Sequence, residues 1–234
     1  MHKLCGTPKG VPPERGSASF PISVSLSAVK RTSDIVLWSS LAILVVYTAV
    51  AGTGVLYGAD YALIVASQTF ANGLFDAIGN LFSLLGDVWI VSFAFGFFCI
   101  GLFFFLDRWL AVKLVAAYFI GSMVELVMKL FVPVPPIPSE LGRTNGYSPT
   151  IDVAYSYPYP SGHMLRAVFF LGAVYILWPN RAGRAVVVVF LILMAATRVY
   201  LGVHWLSDMI GGLLIGLAGL AWAFRAYRPK KVLS

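Results

Sequence analysis

An all-α integral membrane protein, built from six transmembrane helices and one amphipathic helix lying in the interface, is the fold class this sequence predicts. Three observations predict it. Hydrophobic residues make up 59% of the 234-residue chain and charged residues 12%, whereas a soluble globular chain carries roughly a quarter charged. Uncharged runs recur that are long enough to cross about 30 Å of hydrocarbon at about 1.5 Å per helical residue. All six tryptophans (Trp38, Trp89, Trp109, Trp178, Trp205 and Trp222) fall near the ends of those runs, where amphipathic rings anchor at the membrane–water boundary. This composition sets aside a soluble protein. It also sets aside nucleic acid as the reason for the net charge of +7, which is read as basic loops on the cytoplasmic side. Cys5 lies in a polar tail and Cys99 in an apolar run, so the cysteines offer neither a disulfide framework nor a metal-ligand spacing.

Residues 1–34 are polar, rich in Pro, Ser and Gly, and lack the apolar core of a signal peptide; they read as a flexible cytoplasmic tail. A six-span membrane domain follows over residues 35–226, and a basic cytoplasmic tail over 227–234. Ile35 to Ala59 carries no charge over 25 residues and is the first span. Residues 60–86 are less apolar, but Phe70, Leu74, Ile78, Leu81 and Leu85 recur at helical spacing among Gly73, Asp76, Gly79 and Asn80. That pattern predicts an amphipathic helix, lying in the interface or packed as a loop helix. Val88 to Leu106 is the second span, ended by Asp107-Arg108, and Trp109 to about Phe131 the third. Residues 132–163 hold seven of the thirteen prolines, which excludes a continuous helix there. Met164–Trp178, Ala185–Tyr200 and Trp205–Phe224 are the fourth, fifth and sixth spans. In the last of these, Gly212 and Gly216 form a G-x-x-x-G pair suited to close packing on a neighbouring helix.

Thirteen of the seventeen Lys and Arg residues fall on one side of this arrangement. The positive-inside rule makes that side cytoplasmic, with both termini inside. The other side holds four: Lys129, Arg143, Arg166 and Arg198. They lie in or beside three short segments, and a side otherwise depleted of cations keeps them only there. This predicts an anion site facing outward.

The same segments carry the reactive groups. His204 and Asp208 are four apart at the start of the sixth span, so they share a helix face. A carboxylate there can hold one imidazole nitrogen and leave the other free as a nucleophile. Arg198, across the turn from His204, offers a planar fork of donors suited to phosphate. Ser161-Gly162-His163 opens the fourth span, where free N–H groups attract an anion and Gly permits its close approach. His163 supplies a second imidazole that could serve as general acid; the residues alone do not choose between His204 and His163 as nucleophile. Lys129, at the end of the third span, adds another positive charge. The tyrosines of the Pro-rich loop, Tyr147, Tyr155, Tyr157 and Tyr159, could pack on a lipid or its headgroup, or order the loop.

These residues resemble the type 2 phosphatidic acid phosphatases, a superfamily that includes the vanadium haloperoxidases. The family carries K-x(6)-R-P, then P-S-G-H, then S-R-x(5)-H-x(3)-D. Pro160-Ser161-Gly162-His163 matches the second motif fully. Arg198, His204 and Asp208 match the third in type and spacing, with Thr197 where the family has Ser. The first motif departs: Lys129 is present, but Pro136-Ile137 stands where the family has Arg then Pro. Arg143 or Arg166 could replace that arginine, and Arg166 is preferred because it lies three residues after His163 on one helix face.

The resemblance implies a metal-independent, cofactor-free phosphatase that works through a phosphohistidine. His204 is the implied nucleophile, Asp208 its orienting partner, and His163 the acid and base. Lys129, Arg198, Ser161 and Gly162 are the implied phosphate ligands. The expected substrate is a lipid phosphate or pyrophosphate: an isoprenoid pyrophosphate, phosphatidylglycerol phosphate or phosphatidic acid. The expected location is a bacterial-type plasma (inner) membrane with the site facing the outside or periplasm, and with membrane lipids, no nucleic acid and no obligate protein as partners. Two other readings use the same residues. One is a phosphotransferase that moves phosphate onto another lipid or sugar. The other is a transporter or anion-binding membrane protein in which Glu125 and Lys129 mark a pathway.

Overall fold

The computed structural model describes residues 26–144, 156–225 and 227. Its helices, in chain order, are α1 (Leu26–Gly52), α2 (Tyr57–Gln68), α3 (Gly73–Leu85), α4 (Val88–Gly101), α5 (Arg108–Phe131), α6 (Gly162–Leu177), α7 (Arg181–Tyr200) and α8 (Leu206–Phe224). A π-helical turn at Leu102–Leu106 prolongs α4, and a 3₁₀ turn at Ser139–Leu141 lies in the Pro-rich loop.

Five helix starts, those of α3 to α7, are written in short polar side chains, which accept the N–H groups that a first turn leaves without partners. Asn72 caps α3, Asp87 caps α4, Asp107 caps α5, Ser161 caps α6 and Asn180 caps α7. Asp107 therefore both ends the second span and starts the third, as the sequence pattern predicts.

The central element is α8. Two-thirds (67%) of its spanning window is buried, against 22–33% for the four other long apolar helices, α1, α4 with its π turn, α5 and α7. It packs against α1, α5 and α6. The outer surfaces stay apolar: Val45 is 70% exposed, Phe97 72% and Phe105 88%, as surfaces facing lipid are. Gly212 and Gly216 do what their spacing predicts. A Cβ on Gly212 would run into the Ser161 carbonyl oxygen, and one on Gly216 would lie 2.6 Å from Val168 Cγ1. Their absent side chains bring the first two turns of α6 against the second and third turns of α8.

Three expectations need correction. The first span does not run to Ala59. Its helix ends at Gly52, and Gly54 adopts φ +74° in the turn before α2, a backbone region that a glycine enters without steric cost. The absence of charge concealed that break. At its other end α1 begins at Leu26 rather than Ile35, so residues 26–34, assigned to the tail, form a polar helical extension. Asp34 in that extension pairs with Arg225 at the end of α8. Residues 60–86 are two helices rather than one, separated where Asn72 accepts from Leu74 and Phe75 N–H. The amphipathic pattern belongs to the second of them. On α3, Leu74, Leu81 and Leu85 are exposed while Gly79 and Ser83 are buried, and α3 packs on α7. Among the described residues, five helices are long and apolar enough to cross a membrane. At 16 residues, α6 is shorter than the roughly 20 residues a full span needs.

Candidate active site

Four helix ends meet at one end of the bundle: the C-termini of α5 and α7 and the N-termini of α6 and α8. Main-chain hydrogen bonds join them. Ser161 N donates to Asp208 O at 2.9 Å and Tyr157 N donates to Lys129 O at 3.0 Å. Trp205, almost fully buried, donates from Nε1 to the Pro135 carbonyl at 2.7 Å. Gly202, at φ +64°, lets the α7–α8 turn approach the Leu141 carbonyl. Gln68 of α2 donates to both Leu141 O and Tyr200 O at 2.8 Å. The Pro-rich loop is thereby fixed onto the turn that carries His204.

The Asp208 carboxylate is fully buried. Its Oδ2 accepts from Trp205 N at 3.0 Å and faces His204 Nδ1 at 3.3 Å. The pair forms although the two residues do not share a helix face: His204 lies in the turn before α8, two residues ahead of Leu206, and the Asp208 side chain reaches back to it, which leaves Nε2 of His204 for other chemistry. The His163 ring stands at 67° to the His204 ring, with centroids 5.6 Å apart. Gly86, at the corner between α3 and α4, closes on this pair; a Cβ there would lie 3.0 Å from His163 Cδ2.

Arg198 is buried and donates from Nη2 to Gly79 O at 3.0 Å and to Ser83 Oγ. These α3 groups were not foreseen as part of the site. Nothing local marks Ser83 as a partner of a residue 115 positions away. Asp60 of α2 was also missed. Its buried carboxylate accepts from Ser207 N at 3.1 Å in the first turn of α8, and an acidic residue directly after a long uncharged run is the signal that could have found it. Thr197, in place of the family's Ser, bonds back to Leu193 O at 2.7 Å within its own helix.

The cations divide into two groups. Lys129 is buried; its Nζ lies 3.8 Å from Glu125 Oε1 and 3.5 Å from Pro158 O. Arg166 Nη1 lies 3.1 Å from Glu125 Oε2. Lys129, Arg198 and Arg166 all act electrostatically on His204. Arg143 is elsewhere. It makes a bidentate pair with Asp76, Nε to Oδ1 at 2.9 Å and Nη2 to Oδ2 at 2.8 Å, and Tyr200 Oη donates to the same carboxylate at 2.7 Å. The Arg143 and Tyr200 hydrogen bonds hold the Asp76 carboxyl below its ordinary value. Burial first, then the three neighbouring cations, hold the His204 imidazole well below 6.5. Of the loop tyrosines, Tyr159 is a core residue: it is fully buried, its hydroxyl is 2.9 Å from Thr48 Oγ1, and its ring lies against Gly211. It is not available to a headgroup. Tyr147 and Tyr155 lie outside the described residues.

The family profile described as the PAP2 superfamily matches residues 110–231. The chain belongs to the PAP2 superfamily. The matched region begins in α5 and takes in all three motif segments. Over 61 residues the PAP2 chain is 38% identical to the Escherichia coli (strain K12) protein named "Putative undecaprenyl-diphosphatase YbjG". That alignment covers 26% of this chain and spans 30% of the relative's length. The fold resembles the crystal structure of a transmembrane PAP2 type phosphatidylglycerolphosphate phosphatase from Bacillus subtilis, with a TM-score of 0.64 at 20% identity. The match covers 79% of this chain and 92% of that one.

Proposed function

We propose that this PAP2 chain is a membrane phosphatase that hydrolyses a phosphate or pyrophosphate monoester of a lipid through a phosphohistidine at His204. The observation that carries the proposal is the His204–Asp208 pair set beside His163, where the helix ends that carry Lys129, Arg198 and Arg166 meet.

With Nδ1 turned to Asp208, His204 directs Nε2 at phosphorus. As the N–P bond forms, the P–O bond to the lipid breaks, and His163 protonates the departing oxygen. In the second step His163 takes a proton from water. The water oxygen bonds to phosphorus, the P–N bond breaks, and phosphate leaves with His204 restored. Lys129, Arg198, the Ser161 hydroxyl and the free N–H groups at the start of α6 hold the equatorial oxygens as charge builds on them. We assign Arg166, paired with Glu125 and lying against Gly162, the role of the absent first-motif arginine. Arg143, committed to Asp76, serves the loop.

A lipid substrate is supported by the site's position among helices with apolar, exposed outer surfaces. The relatives' names point to an isoprenoid diphosphate or phosphatidylglycerol phosphate, and phosphatidic acid carries the same monoester. The cation asymmetry supports a plasma-membrane protein with both termini inside and this cluster of helix ends outside.

The test is phosphate release by purified protein from a panel of these lipids, in detergent with EDTA, beside His204→Ala. The proposal expects release by the parent protein and none by the variant. Release that stops with EDTA would overturn metal independence, and a phosphorylated acceptor in place of free phosphate would identify a phosphotransferase.

A further inference from the structure

We propose that Glu125 is a positioning residue of the phosphate site: its carboxylate holds the Arg166 guanidinium beside the P-S-G-H turn, in the role of the arginine that Pro136 has replaced. This rests on the phosphate-cradle reading above.

Glu125 is 5% exposed and lies on the buried stripe of α5 that continues to Lys129 one turn later. A carboxylate among lipid-embedded helices is costly unless its charge is met. Here it meets two cations from two helices, Arg166 Nη1 at 3.1 Å and Lys129 Nζ at 3.8 Å. The shorter contact crosses from α5 to α6, and it fixes a guanidinium that α6 alone would leave free to rotate. The place where it is fixed is specific. A Cβ on Gly162 would collide with both Glu125 Oε1 and Arg166 Nη2. The ion pair therefore lies directly against the backbone of Gly162, in the helix turn whose N–H groups would face a phosphate. Arg166 also acts electrostatically on both His163 and His204. One negative charge between two positive ones leaves a net positive site, with the planar fork oriented in advance.

Glu125 touches no substrate, so its effect must pass through Arg166. The experiment is equilibrium binding of radiolabelled inorganic phosphate to the full chain in detergent, for the parent, E125Q, R166A and the double variant E125Q/R166A. Loss of one bidentate charged partner is expected to weaken binding roughly tenfold in E125Q and in R166A, with the double variant no weaker than R166A alone. E125D is expected to recover part of the loss. E125M/R166M replaces the pair with apolar groups and so removes any problem of a lone buried charge; it is expected to fold and to bind as weakly as R166A. Unchanged or tighter binding in E125Q, additive losses in the double variant, or parent-like binding by E125M/R166M would overturn the proposal. Hydrolysis is read separately. A parent protein that binds phosphate in a Glu125-dependent way but releases none from lipids would contradict the phosphatase reading and leave this one standing.

Discussion

The backbone N–H of Ser161 donates to the carbonyl oxygen of Asp208 at 2.9 Å. One main-chain bond thus joins the turn that carries His163 to the helix that carries the partner of His204. Gly212 makes the approach possible, because any Cβ there would meet the Ser161 carbonyl. Gly212→Val is expected to destabilise the protein by about 1–3 kcal/mol, the usual cost of overpacking, and to separate the two imidazoles. A lower melting temperature in detergent together with lost turnover checks this. A variant with parent-like stability and turnover would show that the close approach of α6 and α8 is not needed.

The protonation of His204 gives a second prediction. Its folded value lies well below 6.5 through burial and through Lys129, Arg198 and Arg166, so the imidazole stays neutral as pH falls. The sign for stability follows: the unfolded chain takes up this proton first, so stability is intact above about pH 6.5 and falls as pH drops below it. The acid limb of kcat/KM assigned to His204 is expected below pH 6.5. Lys129→Met removes a neighbouring positive charge and is expected to move that limb upward. Substrate ionisation is common to both proteins and cancels in the comparison. A downward shift would contradict the assignment.

His163 is expected to act on the leaving oxygen. His163→Ala should lower kcat by roughly 10²–10⁴ on a lipid ester, the range typical of a lost acid–base catalyst. The first step should suffer far less with an aryl phosphate ester, whose leaving group departs without a proton. Equal losses in that step on the two substrates would assign His163 another role.

Arg143 and Arg166 are expected to behave differently. Arg143 pairs with Asp76 at the edge of the bundle, where its side chain is 32% exposed, and partly exposed pairs contribute about 0–1 kcal/mol. Arg143→Ala should therefore lower stability slightly and leave KM nearly unchanged, whereas Arg166→Ala should raise KM. Steady-state kinetics of the two variants side by side decide which arginine serves phosphate.

What the sequence disclosed of the site was whatever lay within a few residues. His204 and Asp208 are four apart and do pair, through the turn before α8 rather than along a helix face, and Ser161, Gly162 and His163 are consecutive at the start of α6. The Glu125–Lys129 pairing was visible for the same reason, yet at 3.8 Å it is the longer of the two contacts that Glu125 makes. The shorter one, to Arg166 41 residues away, depends on how α5 and α6 pack. The same holds for Arg198 with Gly79 and Ser83, and for Asp60 with Ser207. Asn72 and Asn180 were not recognised as caps, and α7 starts four residues before the expected Ala185; among the spans, the ends marked by Asp87 and Asp107 were read closely. The break after Gly52 was not, because a turn of Thr and Gly carries no charge to mark it.

The central claim, that phosphate passes through His204, is tested most directly by labelling. Protein mixed with a radiolabelled lipid phosphate and quenched in alkali should carry label that is stable to base and labile to acid, as a phosphoramidate is. His204→Ala should carry none. Turnover by the parent protein with no such label, or turnover retained in His204→Ala, would contradict the account.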